Sequence, residues 1–217
     1  MDLAGLAGLE SGTRDRLQQG AQRRRYRRGE VVFHEGDEAN SMYVLVSGHV
    51  SIGVTTPLGD SAVFTVLGAG AIFGELALLT GSAVRSATVS ALDPVEALRL
   101  PADRVNLLRR TDPAMDRFLV GLLADYLPRQ DARLLEALYV PVEKRVLRRL
   151  LALSRLYGNG TAGTVVPLTQ DVLAGVAGST RPTTNQVLRS AEEAGLLSLS
   201  RGSVRIEDPA GLARRAR

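Results

Sequence analysis

The chain has 217 residues, of which 45% are hydrophobic and 23% are charged, and it carries a formal net charge of +4. This length allows one large or two small domains, each with a buried core. The absence of cysteine excludes disulfides, thiolate metal sites and cysteine-ligated iron–sulfur clusters. No apolar run is long enough to cross a bilayer, and the first leucines lack a preceding basic segment. We therefore expect a cytoplasmic protein without membrane partners.

The N-terminal residues predict a short helix followed by a charged connector. Leu3, Leu6 and Leu9 are spaced to share one helical face. The basic run 23–28 comes next, and it is typical of a solvated connector, although a phosphate-seeking patch would have the same composition.

From Gly29 to about Leu100, short runs of β-branched residues alternate with turn residues. Gly48 and the pair Pro57 and Gly59 are natural hairpin turns. Short strands at near-regular spacing favour an antiparallel barrel or jelly roll. The segment HEGDE between two of these runs resembles a metal or acid–base cluster in composition, but no second ligand group stands out, so we predict a polar turn and no enzyme.

The fifteen residues from Phe73 to Ala87, FGELALLTGSAVRSA, combine a glycine and a carboxylate with an arginine and a serine ten and eleven residues later. Backbone N–H groups and an arginine suit a phosphate group, and a carboxylate accepts a hydrogen bond from a ribose hydroxyl. The grouping predicts a sugar-phosphate site, whereas the alternative is a surface turn with solvated charges.

After Pro101 the apolar residues follow helical spacing. The members of this stripe are Met115, Phe118, Leu119, Leu122, Leu123, Tyr126, Leu134, Leu135 and Leu138. Such a stripe is buried most simply against a second copy of the chain, so we expect a homodimer, with packing on the chain's own barrel as the alternative. Pro128 interrupts the stripe and predicts a kink or a break near Leu127.

The C-terminal third is basic and predicts a nucleic-acid partner. Residues 1–140 carry 15 Arg against 17 Asp and Glu, whereas residues 141–217 carry 12 Lys and Arg against six acidic residues. A basic domain joined to a near-neutral one is typical of a DNA-binding protein with a separate control domain. A helix from Pro141 to about Tyr157 begins this basic region and leads to a loop at Gly158, Asn159 and Gly160.

Residues 169–189 have the layout of a helix-turn-helix. Thr169 and Thr180 are placed to cap the two helices, Gly178 suits the left-handed turn, and Pro182 falls in the first turn of the second helix. A hairpin over Ser198–Ile206 follows as a wing. Arginine suits guanine, asparagine and glutamine suit adenine, and threonines and further arginines suit phosphates. The predicted DNA-binding residues are Thr169, Thr180, Arg181, Thr183, Asn185, Gln186, Arg189 and Arg201.

Together these features resemble the CRP/FNR superfamily of transcription regulators over nearly the whole chain. The resemblance implies an α+β fold in three parts. Residues 1–110 would form a β-roll (jelly-roll) cyclic-nucleotide-binding domain with an N-terminal helix. Residues 111–139 would form the dimerisation helix, and residues 140–217 a winged helix-turn-helix that binds DNA.

The resemblance also assigns the segment Phe73–Ala87 to the family's phosphate-binding cassette. The implied contacts to the cyclic ribose phosphate are backbone groups of Gly74, Leu76 and Ala77, the carboxylate of Glu75, and the side chains of Arg85 and Ser86. The base would meet the long helix, where Gln130 and Asp131 replace the Thr-Ser pair of the family's cAMP binders. The family's cAMP binders make cAMP the first expected effector. Because Asp131 can accept a hydrogen bond from a guanine edge, cGMP is the alternative.

We therefore expect a homodimeric transcription regulator that binds a pseudo-palindromic double-stranded operator under the control of a cyclic nucleotide. RNA polymerase would be a further partner if the regulator activates transcription. Pro182 stands where the recognition helix of the family usually has glutamate, so the operator sequence should differ from the one that cAMP receptor proteins of the family bind. The alternative is a regulator on the same scaffold that binds DNA without a cyclic nucleotide or senses a different ligand. No metal, catalytic residue or cofactor besides the effector is predicted.

Overall fold

A computed structural model of the chain describes residues 4–56 and 61–217. The chain divides into two compact units, one of residues 1–52 with 67–130 and the other of residues 53–66 with 131–217. No described helix is both long enough and apolar enough to cross a membrane.

Eight strands in the first half of the chain form two four-stranded sheets, with the orders β1-β8-β3-β6 and β2-β7-β4-β5. Their bounds are β1 (Gln22–Tyr26), β2 (Val31–Phe33), β3 (Ser41–Ser47), β4 (Val50–Thr55), β5 (Ser61–Leu67), β6 (Ile72–Phe73), β7 (Thr88–Ala91) and β8 (Val95–Pro101). The neighbours β1 and β8, β3 and β8, β3 and β6, and β2 and β7 pair antiparallel. The predicted β-roll is confirmed.

Strand β3 lies between two apolar cores, which explains why its first five residues are all buried. Since successive side chains of a strand point to opposite faces, Tyr43 and Leu45 join a core built from residues of both sheets. Met42 and Val44 join a second core, which contains residues of helices α1 (Ser11–Gln18), α3 (Ala102–Thr111) and the start of α4 (Pro113–Tyr139). The first sheet is thus covered by the other sheet on one face and by helices on the other.

The basic run near the N-terminus is not a connector, and this prediction is wrong. Residues Gln22–Tyr26 form β1, an edge strand that pairs antiparallel with β8. Tyr26 packs on the core between the sheets, while Arg23 and Arg25 form ion pairs with Glu96 of β8. Charged residues are typical of edge strands, where they oppose pairing with another chain. Because β1 is rich in arginine, its sequence lacks the alternation of hydrophobic and polar residues that predicts a strand.

The structure tests the predicted hairpin turns and the predicted N-terminal helix, with a different outcome for each. Gly48 makes the turn between β3 and β4 with φ +83°, and a Cβ there would lie 2.4 Å from the carbonyl oxygen of Pro94. Pro57, Gly59 and Leu3 lie outside the described residues. Leu6 and Leu9 are buried, but the predicted short helix is only a 3-10 turn over Ala4–Leu6, and α1 begins afterwards.

Helix α4 runs for 27 residues through Pro128, so the predicted break near Leu127 does not occur. A proline inside a helix leaves the carbonyl four residues earlier without its partner. Here both Pro128 and Ala124 are exposed, so water can satisfy that carbonyl. The apolar stripe divides along this helix: Met115 and Leu119 are buried in their own unit's core, whereas the leucines after Pro128 are exposed.

The C-terminal residues form a compact winged-helix arrangement. Its elements are α5 (Val142–Tyr157), β9 (Val165–Val166), α6 (Gln170–Ala177), α7 (Arg181–Glu193), β10 (Leu197–Ser200), β11 (Ser203–Ile206) and α8 (Pro209–Arg215). The strands form one sheet in the order β10-β11-β9. Leu147, Leu150 and Leu173 are among the fully buried side chains of this part.

Candidate functional site

The predicted cassette is a tight turn between strand β6 and the short helix α2 (Leu76–Thr80). Gly74 follows the strand with φ +80°, a conformation that L side chains rarely adopt. A Cβ at this position would also lie 2.9 Å from Nη1 of Arg85. Position 74 therefore needs glycine for its own backbone conformation and for the close approach of the arginine.

Arg85 packs back against the turn at Gly74. Its side chain is only 4% exposed, and its Nη1 donates a hydrogen bond of 2.9 Å to the carbonyl oxygen of Gly74. Nη2 donates a hydrogen bond of 3.1 Å to Oγ of Ser41 on β3, a residue that sequence reasoning missed. The structure thus brings Arg85 to Gly74, eleven residues earlier in the chain, while Ser86 is exposed beside it.

Glu75 and Arg85 are groups of opposite charge placed in a poorly solvated site. Burial raises the pKa of the Glu75 carboxyl, while a backbone hydrogen bond and the nearby Arg85 guanidinium lower it in part. Burial also lowers the pKa of Arg85, and Tyr43, Asp37 and Glu75 oppose that shift. Desolvation strengthens the attraction between such a site and a bound anion or hydroxyl group.

The raised pKa of Glu75 predicts a pH-dependent stability. The folded state holds the proton more tightly than the unfolded chain, so the free energy of unfolding falls as the pH rises from the ordinary glutamate value of 4.5 through the higher folded value. Glu75→Gln should therefore melt at a higher temperature than the wild type at neutral pH, and this gain should vanish below about pH 4.5. Thermal unfolding of the ligand-free proteins across this range measures it.

Glu35→Gln is the matched control, because it removes one negative charge from an exposed side chain of the same unit. Equal melting temperatures of Glu75→Gln and the wild type at every pH would contradict the assigned cost of burying this carboxylate.

The two residues predicted to meet a nucleotide base lie on α4. Gln130 is partly buried and Asp131 is exposed. Within the described residues of the first unit, Gln130 forms no hydrogen bond with the cassette. The contact of these two residues with a base stays a prediction.

The helix-turn-helix forms as its capping residues predict. Thr169 Oγ1 accepts a hydrogen bond of 3.3 Å from the Val172 N–H at the start of α6, and Thr180 Oγ1 accepts one of 3.3 Å from the Thr183 N–H at the start of α7. Gly178 ends α6 in the left-handed conformation, with φ +58°. These local signals fix where each helix begins and where the chain turns.

The wing and the helix-turn-helix enclose a groove of about 560 Å³, lined by Thr169, Arg181 and Arg201 among others. The predicted wing is the hairpin of β10 and β11, turning at Arg201 and Gly202. The structure therefore brings together three predicted DNA-binding residues that are distant in the chain. A groove with exposed arginines and capping hydroxyls on its walls fits a phosphate backbone.

Helix α7 and its N-cap residue carry the remaining predicted DNA-binding residues, together with Arg181. Arg181, Gln186 and Arg189 are exposed, whereas Thr183 and Asn185 are partly buried. Two contacts were not predicted: Gln170 Nε2 donates a hydrogen bond of 3.1 Å to Asn185 Oδ1, and Asp171 lies 3.4 Å from Arg181 Nε. Both partners stand in the first turn of α6, a position that the helix-turn-helix layout places opposite the start of α7.

Comparison with known proteins gives a consistent description of both regions. Residues 23–112 match the family described as cyclic nucleotide-binding domain, and residues 144–215 match the Crp-like helix-turn-helix domain. A "CRP-like cAMP-activated global transcriptional regulator" of Mycobacterium tuberculosis is 31% identical over 88% of this chain and 86% of its own length. The "Cyclic AMP receptor protein" of Thermus thermophilus is 33% identical, over 87% of this chain and 85% of that protein.

Among solved structures, the c-di-GMP responsive global regulator CLP of Xanthomonas campestris is similar with a TM-score of 0.79 at 25% identity. The match covers 91% of this chain and 99% of that one.

Proposed function

Because the chain belongs to the CRP/FNR superfamily of transcription regulators, we propose that it is a homodimer whose DNA binding is controlled by a cyclic nucleotide held at Arg85. The family and its two domains make it a regulator with a nucleotide-binding domain and a DNA-binding domain, and not an enzyme. We place its action in the cytoplasm.

The pair of oppositely charged groups, Glu75 and Arg85, carries the nucleotide proposal. A cyclic ribose phosphate offers an anion and one free ribose hydroxyl, and this pair offers a cation and an acceptor in a desolvated site. Backbone groups of Gly74, Leu76 and Ala77 and the exposed hydroxyl of Ser86 complete the proposed contacts.

An exposed apolar face along α4 supports the homodimer. Val120, Leu127 and Leu134 follow one another at seven-residue intervals and are 61%, 62% and 59% exposed, and Leu138, one turn after Leu134, is 64% exposed. A continuous leucine-rich face at heptad spacing is the surface that a second helix of the same kind covers in a coiled coil. A second copy of this chain supplies such a helix.

DNA binding is assigned to the groove between the wing and the helix-turn-helix and to the exposed face of α7. Arg181 would read guanine and Asn185 or Gln186 would read adenine, while Thr169, Thr180, Thr183, Arg189 and Arg201 would contact phosphates. The two recognition helices of a dimer must lie about 34–36 Å apart, which matches a pseudo-palindromic operator. RNA polymerase is the further partner if the protein activates transcription.

Contacts inside the second unit provide a route from α4 to the helix-turn-helix. Glu136, near the end of α4, forms ion pairs with Arg148 and Arg149 of α5. Arg145, also on α5, donates hydrogen bonds of 2.9 Å to the carbonyl oxygen of Ala137 and 3.0 Å to that of Gly178, the turn residue. A change in the position of α4 would therefore act directly on the turn that orients α7.

Cyclic AMP is the first candidate effector, because relatives in M. tuberculosis and T. thermophilus are named for cAMP. Cyclic GMP is the alternative, because Asp131 is an acceptor for the guanine N1–H and N2–H groups. By helical spacing Asp131 shares a face of α4 with Leu127 and Leu134, so in the proposed dimer it lies at the helix pair. The c-di-GMP responsiveness of the Xanthomonas protein makes a cyclic dinucleotide the third ligand to test.

Calorimetric titration of the full-length protein with cAMP, cGMP and c-di-GMP tests the proposal. We expect saturable binding of one cyclic mononucleotide, with one site per chain. A preference for cGMP over cAMP would support Asp131 as the base-reading residue. Binding of c-di-GMP alone, or of none of the three, would contradict cyclic-mononucleotide control and favour the alternative of another ligand or none.

A further inference from the structure

An aromatic niche surrounds the guanidinium of Arg85. Its Cζ lies 4.1 Å from the centroid of the Phe33 ring and 6.0 Å from that of Tyr43. The ring centroids of Phe33 and Tyr43 are 5.8 Å apart, and Phe73 stacks on Tyr43 at 5.1 Å. A cation over the face of an aromatic ring within about 6 Å is attracted by the ring's quadrupole, more strongly when it is desolvated, as Arg85 is here.

Two acceptors of the protein hold the terminal nitrogens of the Arg85 guanidinium. Nη1 donates to Gly74 and Nη2 to Ser41, so the end that carries both terminal nitrogens is held by the protein. Nε is buried and has no acceptor among the described residues. A buried N–H without an acceptor costs free energy, so the two hydrogen bonds and the contact with the Phe33 ring are what keep the guanidinium in this position.

We propose that Phe33 and Ser41 are positioning residues that hold the Arg85 guanidinium in one orientation in the cassette, ready for the phosphate of the bound nucleotide. This step rests on the proposed function of the same site. The Phe33 ring fixes the plane of the guanidinium, and the Ser41 hydroxyl, which is fully buried, fixes its rotation within that plane.

The physical basis of the effect is preorganisation. A free arginine side chain has many rotamers, and a ligand that must order them loses affinity. In this chain the Arg85 side chain is already ordered in the folded protein, by the face of the Phe33 ring and by two acceptors, the Gly74 carbonyl oxygen and Ser41 Oγ. A nucleotide then meets an arginine whose side chain is already confined to one orientation.

The first test is nucleotide affinity, measured by calorimetry with whichever of cAMP and cGMP binds the wild type more tightly. Phe33→Leu should weaken binding about tenfold, the range of one desolvated cation–π contact, and Phe33→Tyr should restore it because it keeps the ring face. Ser41→Ala should weaken binding in the same direction. In the Arg85→Ala background, Phe33→Leu should cause no further loss, since the residue that it positions is gone.

Phe73→Leu is the control for loosening of the aromatic cluster. Phe73 is 1% exposed and contacts the rings of Phe33 and Tyr43. Its loss should lower the melting temperature more than Phe33→Leu and the nucleotide affinity less. Unchanged or tighter nucleotide binding in Phe33→Leu, or an equal loss with and without Arg85, would overturn the positioning role.

The second test needs no nucleotide and so separates this proposal from the proposed function. The Arg85 Nε–H signal, identified by its absence in Arg85→Ala, should be displaced by the ring current of Phe33 in ¹⁵N–¹H spectra of the ligand-free protein. It should move towards the ordinary arginine position in Phe33→Leu but not in Phe33→Tyr. An undisplaced signal overturns the niche, whereas a displaced signal without binding of cAMP or cGMP leaves the niche standing and contradicts the proposed effector.

Discussion

Arg85→Ala should weaken binding of the cyclic nucleotide about 100-fold, the size expected when charge-assisted hydrogen bonds to an anion are lost in a desolvated site. Arg85 is only 4% exposed, and its guanidinium donates a hydrogen bond to the carbonyl oxygen of Gly74. Alanine would leave the phosphate of the ligand in a poorly solvated niche without a counter-charge. Calorimetric titration of the variant with cAMP and cGMP measures the loss.

Two further variants keep this result interpretable. Arg85→Lys keeps the charge but not the planar fork, so it should bind with intermediate affinity. Ser86→Ala removes only an exposed hydroxyl and should cost less than either. Thermal unfolding must accompany the titrations, because Arg85 also holds Ser41 and Gly74 in the folded protein. A folded Arg85→Ala protein with wild-type affinity would contradict the site.

The double variant Leu134→Glu/Leu138→Glu should convert the proposed dimer to a monomer. Both leucines are about three-fifths exposed on the same face of α4, and glutamates there would face their counterparts across the two-fold axis. Light scattering after size exclusion measures the mass. Affinity for a palindromic operator should fall at least about 100-fold, because two linked half-site contacts become independent.

Leu107→Glu is the matched control. Leu107 is 50% exposed and lies on α3, a helix that is not part of the proposed α4 interface. It should leave both the mass and the DNA affinity as in the wild type. A double variant that remains dimeric would place the dimer contact elsewhere than on the C-terminal half of α4.

The helix-turn-helix was predictable residue by residue because its signals are local. Thr169, Gly178 and Thr180 act within one turn of their own helix ends, and each makes the capping contact or backbone conformation that its side chain favours. The β-roll was predictable as a class for a similar reason, since its strands are short and bounded by turn residues.

The interpretation of residues 23–28 failed because edge strands need not alternate hydrophobic and polar residues. Only Tyr26 of β1 joins the core, and the arginines are held across the sheet by Glu96, about 70 positions later in the chain. Of the predicted kink or break near Leu127, the break was wrong, because the cost of a proline in a helix depends on whether water reaches the orphaned carbonyl, which the sequence does not show.

The candidate nucleotide site was predictable in its polar residues but not in their support. Glu75 and Arg85 stand in a recognisable spacing, whereas Ser41 and Phe33 are brought to Arg85 from strands 44 and 52 positions earlier in the chain. Nothing in the local pattern marks a serine or a phenylalanine of a strand as a partner of a distant arginine. The three-dimensional arrangement alone shows that Arg85 is buried and already ordered.

The most direct measurement of the central proposal is the DNA affinity of the full-length protein with and without saturating cyclic nucleotide. Fluorescence anisotropy with a palindromic duplex, selected from random DNA by the nucleotide-bound protein, gives both values. We predict that cAMP or cGMP tightens DNA binding about tenfold or more, as coupled sites typically do, and that Arg85→Ala abolishes the response. The same DNA affinity with and without either nucleotide would contradict control of this regulator by a cyclic nucleotide.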